Sequence, residues 1–162
     1  MTVINGLPAH ILFVHFIVVL VPGTAALEIL CSLWPAARRR LVWLVLALAA
    51  FITVLTPITT HAGEWLFDLR RNPSPILREH AARGGLMIYF SVALLVVAIA
   101  LAVLHVLQAR SATRRPAAAV VVAILALVVG ISSMVQVYRV GDAGSQSVWG
   151  GEIARLKKAN GT

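Results

Sequence analysis

Acidic residues are scarce in this chain of 162 residues: six Asp and Glu stand against fourteen Lys and Arg, and only 12% of all residues carry charge. So little charge, with 60% hydrophobic residues and a mean hydropathy of +0.91, argues against a soluble domain of this length and places the chain in the membrane class. The net charge of +8 is not the footprint of a nucleic-acid partner, because the arginines stand in short clusters at the ends of apolar runs. That is the pattern of membrane topology and lipid-headgroup contact. A single cysteine, Cys31, excludes an intrachain disulfide. A Ser-His-Asp constellation, a phosphate loop and a general-acid carboxylate pair are also absent, so no independent catalytic activity is expected. The lack of an internal repeat argues against an inverted-repeat transporter.

What is present is four long apolar segments, each reaching the ~20 residues a helix needs to cross the hydrocarbon core. They predict an all-α integral membrane four-helix bundle, up-down-up-down, within residues 1–140, with helices at about 7–34, 41–66, 75–108 and 117–140. Residues 141–162 read as a polar or interfacial tail, in which Trp149, Ile153 and Leu156 fall at helical spacing. The first segment has no basic residue ahead of it and is too long for a signal peptide. Trp34-Pro35 ends it, and Ser74 with Pro75 forms a cap and first turn for the third helix. Arg38, Arg39 and Arg40 follow the first helix, and Arg110, Arg114 and Arg115 the third, so both termini are expected outside a bacterial inner (cytoplasmic) membrane.

The polar residues are unevenly distributed. Four of the five histidines, His10, His15, His61 and His80, fall near segment ends that meet at the outer face, and ionisable groups beside a bilayer usually line a pathway, ligate something or pair. On helix two, Thr53, Thr56, Thr60, His61 and Glu64 share an arc of roughly 140°. Ser132, Ser133, Gln136 and Arg139 form a similar stripe on helix four, and Gly84 and Gly85 offer close approach or room for a ligand. These faces are expected to turn inward. His10 and His15, five residues apart, cannot grip one ion as an i,i+4 pair. At the inner end, Glu28 and His105 lie at similar depth and are expected to hydrogen-bond. Trp34, Trp43, Trp65 and Trp149 read as interfacial anchors, and Arg70, Arg71 and Arg78 as headgroup contacts. Thr56, Thr59 and Thr60 read as satisfying carbonyls freed by Pro57.

The stretch from His10 to Phe16, read H-I-L-F-V-H-F, resembles the H-P-x-x-V-H-F opening of the bacterial four-span proteins of the domain of unknown function 2231 family. Leu7-Pro8-Ala9-His10 is similar to an actinobacterial-looking branch of it, as are Thr56 to Trp65, Glu79-His80 and Val137 to Gly144. Ile11 stands where many relatives have proline, and Asp142 where many have histidine, which removes a ligand from that position. The resemblance covers nearly the whole chain and implies a four-helix membrane bundle of unestablished activity. It also implies a redox association, some relatives standing beside Rieske-type iron-sulfur domains.

Three readings follow. In the first, the protein is a redox-associated subunit whose outer half binds a b-type haem between His15 and His61, with His80 as substitute and Arg139 or Arg83 near the propionates. In the second, His10, His61, His80 and Glu64 hold zinc or copper. In the third, the histidines and threonines form a cofactor-free network in a structural or accessory subunit of a membrane complex. The expected partners are the lipid bilayer, a second copy, or a larger complex with an iron-sulfur or other redox protein.

Overall fold

The computed structural model describes residues 3, 4, 6–110 and 116–161; the connection carrying Arg114 and Arg115 lies outside the described residues. Val3–Ile4 (β1) and Leu7–Pro8 (β2) pair antiparallel, Val3 with Pro8 and Ile4 with Leu7. Gly6 turns between them at φ 80°, a left-handed conformation that glycine adopts without a Cβ penalty. All other elements are helices: α1 (Ala9–Leu33), α2 (Pro35–Asp68), α3 (Pro75–Gly85), α4 (Met87–Arg110) and α5 (Pro116–Ala159).

The joints follow from local chemistry. Trp34 alone separates α1 from α2, because a residue preceding proline is pushed toward extended backbone and Pro35 is pre-set for the first helical position. Ser74 caps α3, its hydroxyl accepting from the Leu77 amide, with Pro75 at the first turn. The third segment is divided at Leu86, directly after Gly84-Gly85, the kind of pair at which helices kink. α5 runs unbroken for 44 residues, so the segment beyond residue 140 continues the fourth helix.

α1, α2, α4 and α5 form an integral membrane four-helix bundle in which α1 packs on α2 and α5, and α4 on α2 and α5. One apolar cluster fills the half nearer the α1–α2 joint, termed inner after the topology the arginines predict, the opposite half being termed outer; it lies around Cys31, Val42, Val45, Val97, Leu101 and Ala126. A second, around Ile17, Val21, Ile52, Leu55, Leu94 and Val137, fills the outer half. Bulky apolar side chains such as Val19, Val54, Val96 and Val128 face outward, as lipid contact requires. At 1.5 Å per residue α2 is about 50 Å long and α5 about 65 Å, both well beyond a ~30 Å core. Their excess length projects beyond such a core, and α3 packs along the C-terminal half of α5.

Candidate functional site

The outer end is built where the start of α1 meets α2, and where α3 meets α5. His10 donates from Nδ1 to the Thr59 carbonyl of α2 at 2.9 Å, and His80 from Nδ1 to the Val140 carbonyl of α5 at 2.9 Å. A carbonyl oxygen only accepts, so Nδ1 carries the proton in each ring, and in a neutral imidazole this leaves Nε2 with its lone pair. Among the described residues neither Nε2 has a hydrogen-bond partner. The two rings are half-buried and meet edge to face with centroids 6.2 Å apart.

Each imidazole is seated on a glycine of the helix it bonds. A Cβ at Gly63 would stand 2.8 Å from His10 Nδ1, and one at Gly144 would stand 2.9 Å from His80 Cε1. Gly84 and Gly85, the expected points of close approach, have nothing within 4 Å of a built Cβ. The seats are Gly63 and Gly144, and the second lies beyond residue 140, in the expected tail.

The other sequence candidates are not brought together. His15 and His61 are both exposed, and they differ in depth. The register set by His10 with Thr59, and by Arg38 with Cys31, puts His15 opposite Val54, so His61 lies seven residues farther out, roughly 10 Å at 1.5 Å per residue. His15 donates to the Ile11 carbonyl of its own helix. His61 approaches Glu64 at 3.9 Å, with both side chains largely in solvent, so neither residue of this pair joins His10 and His80. His15 and His61, expected as a pair, therefore stand apart, and the histidines that meet are His10 and His80. The inward stripes are split as well. Thr56, Thr59, Ser133 and Gln136 are buried, while His61, Glu64 and Arg139 face out. Thr56 and Thr59 bond to Ile52 and Leu55, four residues back, rather than to the Thr53 carbonyl that Pro57 leaves without its amide.

Two arginines stand beside the pair. Arg83, one turn along α3 from His80, bonds Glu79 and donates to the Arg139 carbonyl at 3.3 Å, and Gln136 returns a bond to the Arg83 carbonyl at 2.9 Å. Arg139 lies at the polar end of an apolar groove of about 570 Å³ between α4 and α5, with Phe90, Leu127, Ile131 and Val135. Asp142 accepts from Gln146 and is exposed. Among the described residues no group of three or more His, Cys, Asp or Glu converges, so His10, His61, His80 and Glu64 do not form a metal cage.

At the inner end, Glu28 and His105 are not hydrogen-bonded: both Glu28 oxygens lack a partner, and His105 lies edge-on to Trp43 at 6.4 Å. The residue sequence reasoning missed is Arg38. Only 3% exposed, it donates to the Cys31 carbonyl at 3.3 Å and to Gln108 Oε1 at 2.8 Å, tying α1, α2 and α4 together. Arg39 and Arg40 are exposed. Three consecutive arginines read as one topology signal, and the partner that turns one of them inward, Gln108, stands near the far end of α4, 70 residues along the chain.

The fold and these sites define a multi-pass integral membrane protein with a polar outer cap carrying a paired imidazole. The chain belongs to the DUF2231 family, described as "Predicted membrane protein (DUF2231)", whose model matches residues 6–156. No match is found among curated proteins or among solved structures.

Proposed function

We propose that the protein is a redox-associated membrane subunit in which His10 and His80 are the axial ligands of one b-type haem at the outer end of the bundle. The observation that carries this reading is the imidazole pair itself. Each ring comes from a different helix, each has Nδ1 fixed by a main-chain carbonyl, and each keeps a free Nε2. Orientation of a ligating histidine through its other nitrogen is the usual outer-shell arrangement of a metal site. The 6.2 Å between centroids is about twice the distance from an imidazole centroid to a metal bonded at about 2 Å, so a shared metal requires both Nε2 atoms to turn into the gap, away from the edge-to-face contact.

The donor set favours haem over a bare ion. A zinc site takes three or four protein ligands, and no third His, Cys, Asp or Glu joins the pair among the described residues. Haem iron needs only two axial donors from the protein. Bound there, it would supply one-electron transfer, with Arg83 and Arg139 beside the His80 side of the site for its propionates. The reading includes termini outside an inner membrane, because Arg38 to Arg40 and Arg110 cluster at the opposite end, and it includes docking to a second copy or an iron-sulfur partner.

Purification in mild detergent from cells with ample haem, followed by reduced-minus-oxidised absorption and metal analysis, tests the proposal. The expected result is a b-type spectrum lost in His10→Ala and His80→Ala and kept in His15→Ala and His61→Ala. A haem-free protein holding stoichiometric zinc or copper would replace haem with an ion. A protein holding neither would make the pair a cofactor-free clamp between helices.

A further inference from the structure

The inner half of the bundle holds a group of buried polar atoms with no partner among the described residues. Glu28 is 0% exposed, and neither of its carboxylate oxygens has a hydrogen-bond partner. One turn earlier on α1, Thr24 Oγ1 is equally buried and unpartnered, and so is Ser133 Oγ on α5. The two helices come close here, since a Cβ at Gly130 would stand 3.0 Å from Ile29 Cδ1 and 3.5 Å from the Ala25 carbonyl. That contact sets the 24–29 stretch of α1 against the 130–133 turn of α5. Side chains on a helix lean toward its N-terminus, so the Glu28 carboxyl extends toward the Thr24 turn.

Buried polar groups in proteins are nearly always paired, and intramembrane acids are rare and mostly functional. The charged groups around Glu28 do not pair with it. Cys31 shares its helix, Arg38 of α2 is committed to the Cys31 carbonyl and Gln108, and His105 of α4 turns to Trp43. α5 presents Ala126 and Gly130 at this level, neither titratable. An ionised carboxylate would stand uncompensated in an apolar cluster, whereas the neutral acid needs one acceptor, and the Thr24 and Ser133 hydroxyls, unbonded in this arrangement, lie on the turns that meet here.

We propose that Glu28, with Thr24 and Ser133, forms an exchangeable proton-binding site inside the membrane, about 8 Å from the inner end of α1. The ligand is the proton itself, and Arg38 with Gln108 stands between the site and the inner surface. The site is independent of the haem reading and is testable in protein with or without a cofactor.

Infrared difference spectroscopy of the wild type against Glu28→Gln decides it. The expected result is a protonated carboxylic-acid carbonyl band at neutral pH, shifting in D2O and absent from the variant, with the variant folded because glutamine matches the neutral acid in shape. A carboxylate band at neutral pH, or an acid band that never shifts in D2O, overturns the proposal. An apolar carbodiimide, which adds to protonated carboxyls out of water, is expected to label Glu28 about tenfold more than exposed Glu64 or Glu152, and less as pH rises. Label spread evenly over the carboxyls, or protection of Glu28 by sodium but not potassium at constant pH, overturns it too, the latter in favour of a bound cation.

Discussion

The two ends of the bundle hold polar groups in opposite ways. At the outer end His10, His80, Arg83 and Gln136 each donate to a main-chain oxygen of another helix, so the polar cap is stitched across helix boundaries. At the inner end one side chain, Arg38, does the stitching, and a turn and more deeper Glu28 and Thr24 are bonded to nothing. Each unsatisfied buried group forfeits about 1–3 kcal/mol of stability. The outer end therefore holds its polar groups by bonds between helices, while the inner end encloses a carboxyl that no described hydrogen bond satisfies.

The largest effect that sharpens this contrast is expected at Arg38. Arg38→Ala removes the only cross-helix side-chain bonds described at the inner end and orphans the Cys31 carbonyl and the Gln108 oxygen, so we expect a loss of about 2–4 kcal/mol. Lys at this position restores only part of it, because an ammonium cannot reproduce the guanidinium fork. Arg39→Ala and Arg40→Ala, both at exposed positions, are expected to stay within about 0.5 kcal/mol. Chemical unfolding in detergent checks the set. Equal losses at all three positions would mean that the inner end is held by bulk charge at the membrane surface rather than by one buried contact.

Arg38 also illustrates how far the sequence carried. Helix number, membrane class and the Ser74 cap are legible because hydrophobic length and capping chemistry are local. Which arginine of three turns inward depends on Gln108, 70 residues away, and local pattern has no access to that. The pairing of the histidines was hidden for a related reason. Their clustering at one end is readable from segment boundaries, but the choice of His10 with His80 over His15 with His61 rests on the register of α1 against α2 and on the glycines opposite. His15 and His61 fall about 10 Å apart in depth, which an uncertainty of a few residues in each helix end was enough to hide. Residues 141–162 read as a polar or interfacial tail; the structure carries α5 on through Gly141, Gly144, Gly150 and Gly151, with Gly144 in place as a seat for His80.

A middle-sized effect is expected at those seats. Gly63→Ala and Gly144→Ala drive a methyl to within 3 Å of an imidazole that is tied to a carbonyl, so the ring must leave its bond or the helices must part. A cost of about 1–3 kcal/mol follows from overpacking of this kind. Gly84→Ala is the control. Its Cβ enters open space in a helix, where alanine is favoured over glycine by about 0.5–1 kcal/mol, so stability is expected to hold or rise. Thermal unfolding in detergent distinguishes them, and a loss at Gly84 as large as at Gly63 would show that the room beside α3 matters more than the seats.

The smallest effects are expected at the two histidines left outside. His61 and Glu64 are 82% and 72% exposed and 3.9 Å apart on one helix, a geometry that contributes about 0–0.5 kcal/mol. Among the described residues His15 bonds only the Ile11 carbonyl of its own turn, and it faces outward among Leu12, Phe16 and Val19. His15→Leu then exchanges a polar ring for an aliphatic side chain on a surface that faces lipid, and the expected change is zero or a small gain. His10→Leu, by contrast, loses the bond to Thr59 and the edge contact with His80, and is expected to be clearly destabilised. If His15→Leu or His61→Ala instead costs more than about 1 kcal/mol, the surface that carries it is covered by another chain. Such a loss would fall with dilution of the protein in detergent, because a contact between copies depends on concentration and one within the bundle does not.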